Sequence, residues 1–326
     1  MTRSPESTIL SLLPRLTDQR IGDPEFPLRV AEERKRRPRL TADGRLNLLA
    51  IDHPARRVTK GKGDPLEMAN RPDVLHRVCQ VLASEWVDGV MATMDILEEL
   101  LILDGLLRKA GEPSLLDEKL LVASLNRGGL AGARWEMNDP ITGPTAQTCA
   151  QFGLDGAKFL LRICDDEEKS LITILEAARA IREMNASGLP TFLEPLPVVK
   201  TEEGYRLVRT PEALARIAGV ASALGDSSRR LWLKLPYCER YEIVARATTL
   251  PILLLGGESS GDPEAFLREV ADGLAAGPTV RGALVGRNIL YPGELSPRAA
   301  ADAVGRLIHG KDDLEEARRK LMAAGA

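Results

Sequence analysis

The sequence predicts an α/β protein, a (β/α)8 TIM barrel with an N-terminal helical extension, on three observations. Eight short apolar segments, each suited to a buried strand, alternate with segments of helical periodicity. The alternation covers about 250 residues, the usual length of this fold. Asp52-His53-Pro54 follows the first predicted strand, where a dinucleotide-binding open sheet usually has Gly-x-Gly-x-x-Gly. The open doubly wound sheet, the main competing fold, is therefore disfavoured.

The chain divides into an extension, a barrel and a closing helix. Residues 1–44 are charged and interrupted by prolines, and they predict an N-terminal extension packed on the barrel. Within it we expect an amphipathic helix near Thr8–Leu16 and a basic helix over Val30–Arg39, with Arg34–Arg37 as a solvated helix end. Residues 45–310 form the predicted barrel, and residues 311–326 form the C-terminal charged helix.

Each predicted strand is a short apolar run that a helical segment follows. Strands are predicted at Leu46–Ile51, Asp88–Thr93, Lys119–Leu125, Gly156–Ile163, Pro190–Leu196, Leu231–Leu235, Ile252–Gly256 and Gly282–Val285. Helices are predicted at Pro72–Ser84, Ile96–Ala110, Gly143–Phe152, Glu167–Asn185, Thr210–Leu224, Cys238–Thr248, Pro263–Ala276, Pro297–His309 and Leu314–Ala323.

The composition excludes several classes of function. With 44% hydrophobic residues, 28% charged residues and a net charge of −3, the chain resembles an ordinary globular protein and predicts no nucleic-acid partner. The four cysteines form no Cys-x-x-Cys pair, so neither a zinc site nor a disulfide framework is expected. The three histidines lack ligand spacing. We therefore expect metal-free chemistry without a cofactor.

The N-terminus predicts no export signal. Its short apolar run, Ile9–Leu13, follows Glu6, and no uninterrupted apolar stretch reaches about 18 residues. A soluble cytoplasmic protein with no membrane contact is expected. The sequence leaves the oligomeric state open, a homo-oligomer included.

Lys234 is the most informative single residue, because it lies in the middle of an apolar strand. With a period of two, it shares a face with Trp232 and Pro236, and neither face is solvated. Burial lowers the pKa of an amine, which makes it available to attack a carbonyl and form a Schiff base. A purely structural ion pair, or a side chain that reaches solvent from a strand end, is the alternative for this lysine taken alone.

Other charged side chains occur at predicted strand ends, which meet at one mouth of a barrel. Asp52 ends the first strand, and the second strand leads to Asp95. Lys158 and Arg162 share a face of the fourth strand, where Arg162 is expected to bind substrate, and Glu194 lies on the fifth. A second lysine lowers the pKa of the first, and a carboxylate is suited to general acid/base catalysis. An ion-paired scaffold without chemistry is the alternative.

The last two strands predict a phosphate site. One leads into Gly256-Gly257 and the other into Gly286-Arg287. Glycines let backbone N–H groups approach an anion, and the loops after strands seven and eight hold phosphate in many barrels. We therefore expect a phosphorylated substrate.

With these residues placed, the chain resembles the class I, Schiff-base aldolases of the DeoC/LacD type, tagatose-bisphosphate aldolase and its relatives above all. The resemblance covers about residues 46–309 and rests on Ala-Ile-Asp52-His, Lys158-Phe-Leu-Leu, Phe-Leu-Glu194, Leu-Lys234-Leu-Pro, Leu-Gly256-Gly257-x-Ser259 and Val-Gly286-Arg287-Asn288. It implies a Schiff base at Lys234, proton transfer and hydroxyl binding by Glu194 and Asp52, and assistance by Lys158. It also implies phosphate binding by Gly257, Ser259, Gly286 and Arg287.

The resemblance implies a metal-independent carbon–carbon lyase that cleaves a phosphorylated ketose or keto-sugar acid to dihydroxyacetone phosphate and an aldehyde. His53-Pro54 replaces the Gln-Arg usual in tagatose enzymes after the aspartate, so the sugar stays open. Tagatose or fructose bisphosphate and 5-dehydro-2-deoxy-phosphogluconate are the candidates. A phosphometabolite-binding barrel without turnover and a pyridoxal-phosphate enzyme are the alternatives from other classes.

Overall fold

Eight parallel strands close into a barrel, as the sequence predicts. The computed structural model describes residues 5–61, 63–202, 204–257 and 261–324. The strand order is β4-β3-β2-β1-β9-β8-β7-β5-β6, and an additional β4–β5 pairing closes the barrel. Strand β6 pairs with β5 in antiparallel fashion and extends that strand beyond the barrel.

Helices separate the barrel strands along the chain. The strands are β1 (Leu46–Ile51), β2 (Gly89–Ala92), β3 (Leu120–Ser124), β4 (Gly156–Ile163), β5 (Thr191–Thr201), β6 (Gly204–Leu207), β7 (Leu231–Pro236), β8 (Ile252–Leu255) and β9 (Val280–Val285). The helices are α1 (Pro5–Leu12), α2 (Leu16–Gly22), α3 (Phe26–Glu33), α4 (Arg71–Leu82), α5 (Met94–Lys109), α6 (Ala146–Gln151), α7 (Lys169–Ala186), α8 (Pro211–Ser222), α9 (Glu242–Ala245), α10 (Pro263–Ala275), α11 (Arg287–Leu290), α12 (Pro297–Ile308) and α13 (Leu314–Ala323). Short 3-10 helices cover Leu13–Arg15, His53–Arg56 and Glu67–Ala69.

The strands are apolar on both faces because the barrel has two separate cores. Alternate residues fill the interior and form one cluster: Leu46, Leu48, Ala50, Met91, Leu120, Val122, Phe192, Leu253 and Leu284. Trp232 packs against this cluster, with its ring centroid 6.1 Å from that of Phe192. The remaining strand residues contact the helices in a larger outer cluster. The apolar interior fixes which face of each strand points inward.

Several helices begin where the sequence provides a cap. The side chains of Thr210, Asp262 and Ser296 accept hydrogen bonds from backbone N–H groups in the first turns of α8, α10 and α12. Each cap is followed by a proline, whose fixed φ suits the first helical position. Within the described ranges, no helix is both long and apolar enough to span a bilayer.

The basic run in the N-terminal segment is not a solvated helix end, and that prediction is wrong. Helix α3 ends at Glu33, and Arg34 is extended, with ψ at 133°. Arg34 is only 4% exposed, and it reaches Asp155, which lies just before β4. Arg37 pairs with Asp88 before β2, at 2.7 Å. These contacts attach the segment to the N-terminal end of the barrel.

Two local features differ from the sequence-based expectation. The predicted helix Cys238–Thr248 is reduced to Glu242–Ala245, because Arg240 adopts a left-handed conformation with φ at 55° and interrupts the helix start. The β5–β6 hairpin is a strand pairing that the sequence did not predict. Its second strand is short and half-exposed, so it lacks the apolar pattern by which the barrel strands were found.

Candidate active site

Four buried charged side chains from four strands form one connected network in the upper part of the barrel. Lys158 Nζ lies 2.9 Å from Asp52 Oδ2 and 2.9 Å from Glu194 Oε2, and Lys234 Nζ lies 3.0 Å from Glu194 Oε2. Lys158 is 1% exposed, and each of the other three is 6% exposed. We call Asp52, Lys158, Glu194 and Lys234 the charge network.

The strand alternation places these residues above the interior cluster. Asp52 comes two residues after Ala50, Glu194 two after Phe192 and Lys234 two after Trp232, so each side chain points the same way as its apolar predecessor. Lys158 pairs with Phe192 in the β4–β5 register. Because β1 and β4 are separated by two strands in the sheet, the Lys158–Asp52 contact crosses the interior.

The two lysines have opposite electrostatic environments. Burial lowers the pKa of Lys158, but the carboxylates of Asp52 and Glu194 outweigh it, and the net pKa is raised. Burial also lowers the pKa of Lys234, Glu194 only partly offsets it, and the positive charge of Lys158 lowers the pKa further. Lys158 is therefore held as a cation, and Lys234 is the amine that releases its proton more readily.

The two carboxylates are held in the charged form. Burial raises the pKa of Asp52, but the positive charges of Lys158 and, less strongly, Lys234 lower it by more, so its net pKa falls well below the usual range. Burial raises the pKa of Glu194 as well, and Lys158 and Lys234 reverse that effect. Glu194 is placed to exchange a proton with the Lys234 amine.

A cavity of about 480 Å³ opens above Lys234 and Glu194 at the C-terminal ends of the strands. Its lining includes the glycines that the sequence predicted for phosphate, Gly256, Gly257 and Gly286, together with Arg287. Arg287 Nη2 donates a hydrogen bond to the carbonyl of Gly257, at 3.2 Å. We call Gly256, Gly257 and Gly286 the Gly-rich rim.

The Gly-rich rim has no room for side chains at two positions. A Cβ on Gly286 would lie 2.4 Å from the carbonyl oxygen of Ala50 and 2.5 Å from His53 Cε1. A Cβ on Gly256 would lie 2.6 Å from Val285. Gly257 has open space but a φ of +64°, which favours glycine. Close packing fixes two of these glycines, and backbone conformation fixes the third.

Not every predicted site residue joins this cavity. Arg162, predicted to bind substrate, is buried and pairs with Glu136, with Nη1 at 2.5 Å from Oε1, and it is absent from the cavity lining. Asp95, at the predicted end of the second strand, is instead in α5 and pairs with Arg71. Ser259, predicted to bind phosphate, lies outside the described residues.

No group of three or more His, Cys, Asp or Glu side chains is arranged to hold a metal ion in the part of the chain that the structure describes.

Comparison with known proteins places the chain in a family. Residues 44–305 match the profile described as Cgl0159-like. The chain belongs to the Cgl0159-like family. The crystal structure of Cgl0159 from Corynebacterium glutamicum is 36% identical, covers 95% of this chain and 99% of its own, and superposes with a TM-score of 0.85.

Two relatives have names that mention chemistry. An uncharacterized aldolase of Saccharolobus solfataricus is 31% identical over 156 residues, which is 47% of this chain and 53% of the relative. The alignment thus spans about half the length of that relative. The 2-amino-3,7-dideoxy-D-threo-hept-6-ulosonate synthase 1 of Archaeoglobus fulgidus is 23% identical over 286 residues, 87% of this chain and 94% of the relative.

The barrel is also that of more distant solved structures. An archaeal fructose 1,6-bisphosphate aldolase, with its catalytic lysine covalently bound to the carbinolamine intermediate, is 21% identical over 82% of this chain and 95% of its own, with a TM-score of 0.56. At this identity the likeness establishes the (β/α)8 fold and nothing more.

Among the described residues, this Cgl0159-like barrel has three basic side chains in the cavity lining that were not predicted as site residues: His53, Arg56 and Arg209. Burial lowers the pKa of His53 from 6.5 to about 3. The charge of Asp52 acts in the opposite direction, whereas the charges of Arg287 and Lys234 lower the pKa further. His53 is therefore a neutral imidazole. Its position next to Asp52 could have suggested a role, but Arg56 and Arg209 lie in irregular segments whose direction no periodicity predicts.

Proposed function

We propose that this protein is a metal-independent class I aldolase that cleaves a phosphorylated ketose or keto-sugar acid through a Schiff base at Lys234. The observation that carries the proposal is the contrast between the two lysines of the charge network, whose pKa values are shifted in opposite directions. Lys234 borders the cavity with a lowered pKa, and Lys158 below it is held as a cation between two carboxylates. A neighbouring cation and burial are both recognised ways to activate an amine.

The names of two relatives support the same class of reaction. One is called an aldolase, and the other is a synthase of a 3,7-dideoxy-heptulosonate. The barrel fold, shared with Schiff-base aldolases, is compatible with this chemistry but does not select it, because this fold hosts many reactions.

The mechanism follows from the positions in the charge network. Neutral Lys234 attacks the ketone carbon, and loss of water from the carbinolamine gives an iminium. The iminium accepts the electron pair of the breaking C–C bond while Glu194 or Asp52 takes the hydroxyl proton of the departing half, which leaves as an aldehyde. The enamine is then protonated and hydrolysed to the second product, dihydroxyacetone phosphate. Lys158 keeps a positive charge next to the Lys234 amine throughout.

The Gly-rich rim and Arg287 are assigned to the substrate phosphate. Backbone N–H groups at tight glycine positions and one guanidinium are a common combination for this group. The structure of Ser259 is not described, so its assignment rests on the family resemblance alone. Tagatose or fructose bisphosphate and 5-dehydro-2-deoxy-phosphogluconate remain the candidate substrates.

The test is borohydride trapping with dihydroxyacetone phosphate and a panel of phosphorylated ketoses, read by mass spectrometry of the modified peptide. We expect one adduct at Lys234 in the wild-type chain, and neither adduct nor cleavage in Lys234→Met, which keeps the length of the stem. An adduct-free wild-type protein that still binds ketose phosphates would favour the phosphometabolite-binding barrel.

Lys119 supplies a matched control for trapping. Burial lowers the pKa of this lysine to about 8, but it precedes β3 at the opposite end of the barrel, where it donates to the carbonyls of Ser84 and Val87. Lys119→Met should leave adduct formation unchanged.

An absorbance band near 400 nm in the purified protein, about where pyridoxal-phosphate Schiff bases absorb, would instead support the pyridoxal-phosphate alternative.

A further inference from the structure

The outer side of α7 exposes a cluster of large apolar side chains. Leu171 and Leu175 are each 61% exposed, and Ile172 is 44% exposed. Because they are one to four residues apart in a helix, they lie together on one side of it. The opposite side of α7, which includes Ala177 and Ile181, is buried against the barrel. Exposed apolar side chains that cluster in this way, unlike single ones, mark an interaction surface.

The same side of α7 carries opposite charges at its two ends. Glu168 immediately precedes the helix, and Arg182 comes fourteen residues later, which is about four turns and so returns to the same side. Leu175 lies midway, seven residues from each. Neither Glu168 nor Arg182 forms an ion pair with another residue in the described ranges. We call Glu168, Leu171, Ile172, Leu175 and Arg182 the α7 face.

The order acidic, apolar, basic makes the α7 face its own complement under a two-fold rotation. Two copies of α7 that pack antiparallel about an axis at Leu175 bring this leucine against the partner's Leu175. Glu168 then lies opposite the partner's Arg182, and Arg182 lies opposite the partner's Glu168. The positive end of each helix dipole also lies near the negative end of the other. A second copy of this chain therefore supplies the matching surface by symmetry alone.

Two more exposed apolar side chains lie on segments next to the N-terminal half of α7. Trp135, 51% exposed, is in the β3–β4 loop, and the carbonyl of Met137 in that loop accepts a 3.1 Å hydrogen bond from Thr173 of α7. Val199, 41% exposed, is in β5 beside Val198, which shares a small core cluster with Met137. A stable interface buries about 800 Å² on each partner, and these side chains extend the α7 face toward that size.

We propose that two copies of this chain form a symmetric dimer through the α7 face, with the two helices antiparallel and Leu175 on the two-fold axis. The apolar side chains form the centre of the interface, where desolvation stabilises it. The ion pairs at both ends fix the direction and the register of the helices. The dimer does not depend on the proposed aldolase function, and the outcome of borohydride trapping leaves it unaffected.

The first test is sedimentation of the wild-type chain and of Leu175→Glu in the micromolar range. We expect a dimer for the wild type and a monomer for Leu175→Glu, because the axis brings the two new carboxylates together. Since Leu175 is exposed, the far-UV circular dichroism of the variant should match that of the wild type. Val220→Glu is the matched control, because Val220 is 45% exposed but lies on α8, and this variant should stay dimeric. A monomeric wild type, or a Leu175→Glu chain that stays dimeric, overturns the inference.

Charge reversal tests the antiparallel arrangement. Glu168→Arg turns both ion pairs of the dimer into repulsive pairs and should raise its dissociation constant about tenfold, and Arg182→Glu should do the same. The double variant restores opposite charges across the axis, so its dissociation constant should return close to that of the wild type. Mixing the two single variants should likewise restore dimers, each with one chain of each kind. Single variants that dimerise as tightly as the wild type, or a double variant no tighter than the single ones, overturn the arrangement.

Discussion

At the scale of single residues, the two lysines of the charge network differ in how many partners they serve. Among the carboxylates of the described residues, Lys158 contacts both Asp52 and Glu194, whereas Lys234 contacts only Glu194. Removing Lys158 takes away the cation that lies between the two buried carboxylates and balances their charge. Removing Lys234 leaves Glu194 still paired with Lys158.

This asymmetry predicts unequal effects of the two substitutions on stability. Lys158→Met should lower the free energy of unfolding by about 3–5 kcal/mol, the cost of an orphaned buried charge. Lys234→Met should change it by less than about 1 kcal/mol, because a thioether replaces an amine that is costly to bury. Urea unfolding of both variants at pH 7 measures the difference. Equal losses in the two variants would mean that Lys234 is mainly one half of a structural ion pair.

Gly286 provides a prediction about the rim. Gly286→Ala places a Cβ 2.4 Å from the carbonyl oxygen of Ala50, so the β1 and β9 ends must separate. We expect a lower melting temperature and, by calorimetry, at least a tenfold loss of affinity for a hexitol phosphate. A tenfold loss corresponds to about one charge-assisted hydrogen bond. Gly219→Ala is the control, because Gly219 is in α8 and no atom lies within 4 Å of the new Cβ. This substitution should raise the free energy of unfolding by about 0.5–1 kcal/mol. Unchanged phosphate affinity in Gly286→Ala would place the anion elsewhere.

At the scale of elements, the sequence predicted the barrel strands and which way their side chains point, because both depend on local pattern. The alternation of Trp232, Lys234 and Pro236 sufficed to place Lys234 inside. The Asp52–Lys158 contact could not be predicted in this way, since it requires the closed barrel and its strand stagger. The cavity side chains of Arg56 and Arg209 and the β5–β6 hairpin could not be predicted, because neither depends on an apolar period.

A second element, the end of α12, predicts a pH dependence. The imidazole of His309 lies 2.8 Å from Asp43 and 3.2 Å from Asp88. Burial lowers the pKa of His309, but the hydrogen bonds to both carboxylates raise it above 6.5 overall. A raised pKa in the folded state means that the stabilisation is complete below pH 6.5 and is lost as the pH rises through the folded-state value.

His309→Gln should therefore destabilise the protein more at pH 5.5 than at pH 9, measured by urea unfolding of variant and wild type at both values. His76→Gln is the control, since His76 faces one carboxylate, Glu6, whose side chain is 56% exposed. The effect of His309→Gln should depend on pH more steeply than the effect of His76→Gln. A His309→Gln effect that is the same at both pH values would show that the imidazole stabilises the fold without its charge.

At the scale of the whole molecule, the N-terminal segment and the barrel are joined by buried charge. Arg34 donates to the carbonyl oxygens of Lys119 and Gly153 and to Asp155, so one side chain connects α3 to the starts of β3 and β4. Asp155 also accepts from the backbone N–H of Leu121. The sequence does not reveal this connection, because a basic run next to a helix is usually solvated.

Arg34→Met should lower the free energy of unfolding by about 3–5 kcal/mol, since it removes a fully buried partner of Asp155. Arg36→Met is a matched control on the same carboxylate, because Arg36 is 48% exposed and contacts the other oxygen of Asp155. Its loss should cost less than about 1 kcal/mol. Denaturant unfolding compares the two, and similar costs would refute a joining role for Arg34.

The charge network and two arginines of the cavity, Arg56 and Arg209, lie on different kinds of backbone. Three side chains of the network lie on barrel strands, and its Lys158–Asp52 pair connects opposite walls, so loss of that pair disturbs the interior. Arg56 and Arg209 belong to a 3-10 turn and a loop outside the sheet. Mutation can therefore replace these two arginines while the charge network stays intact. We expect relatives with this barrel to differ at the positions of Arg56 and Arg209 before they differ in the charge network.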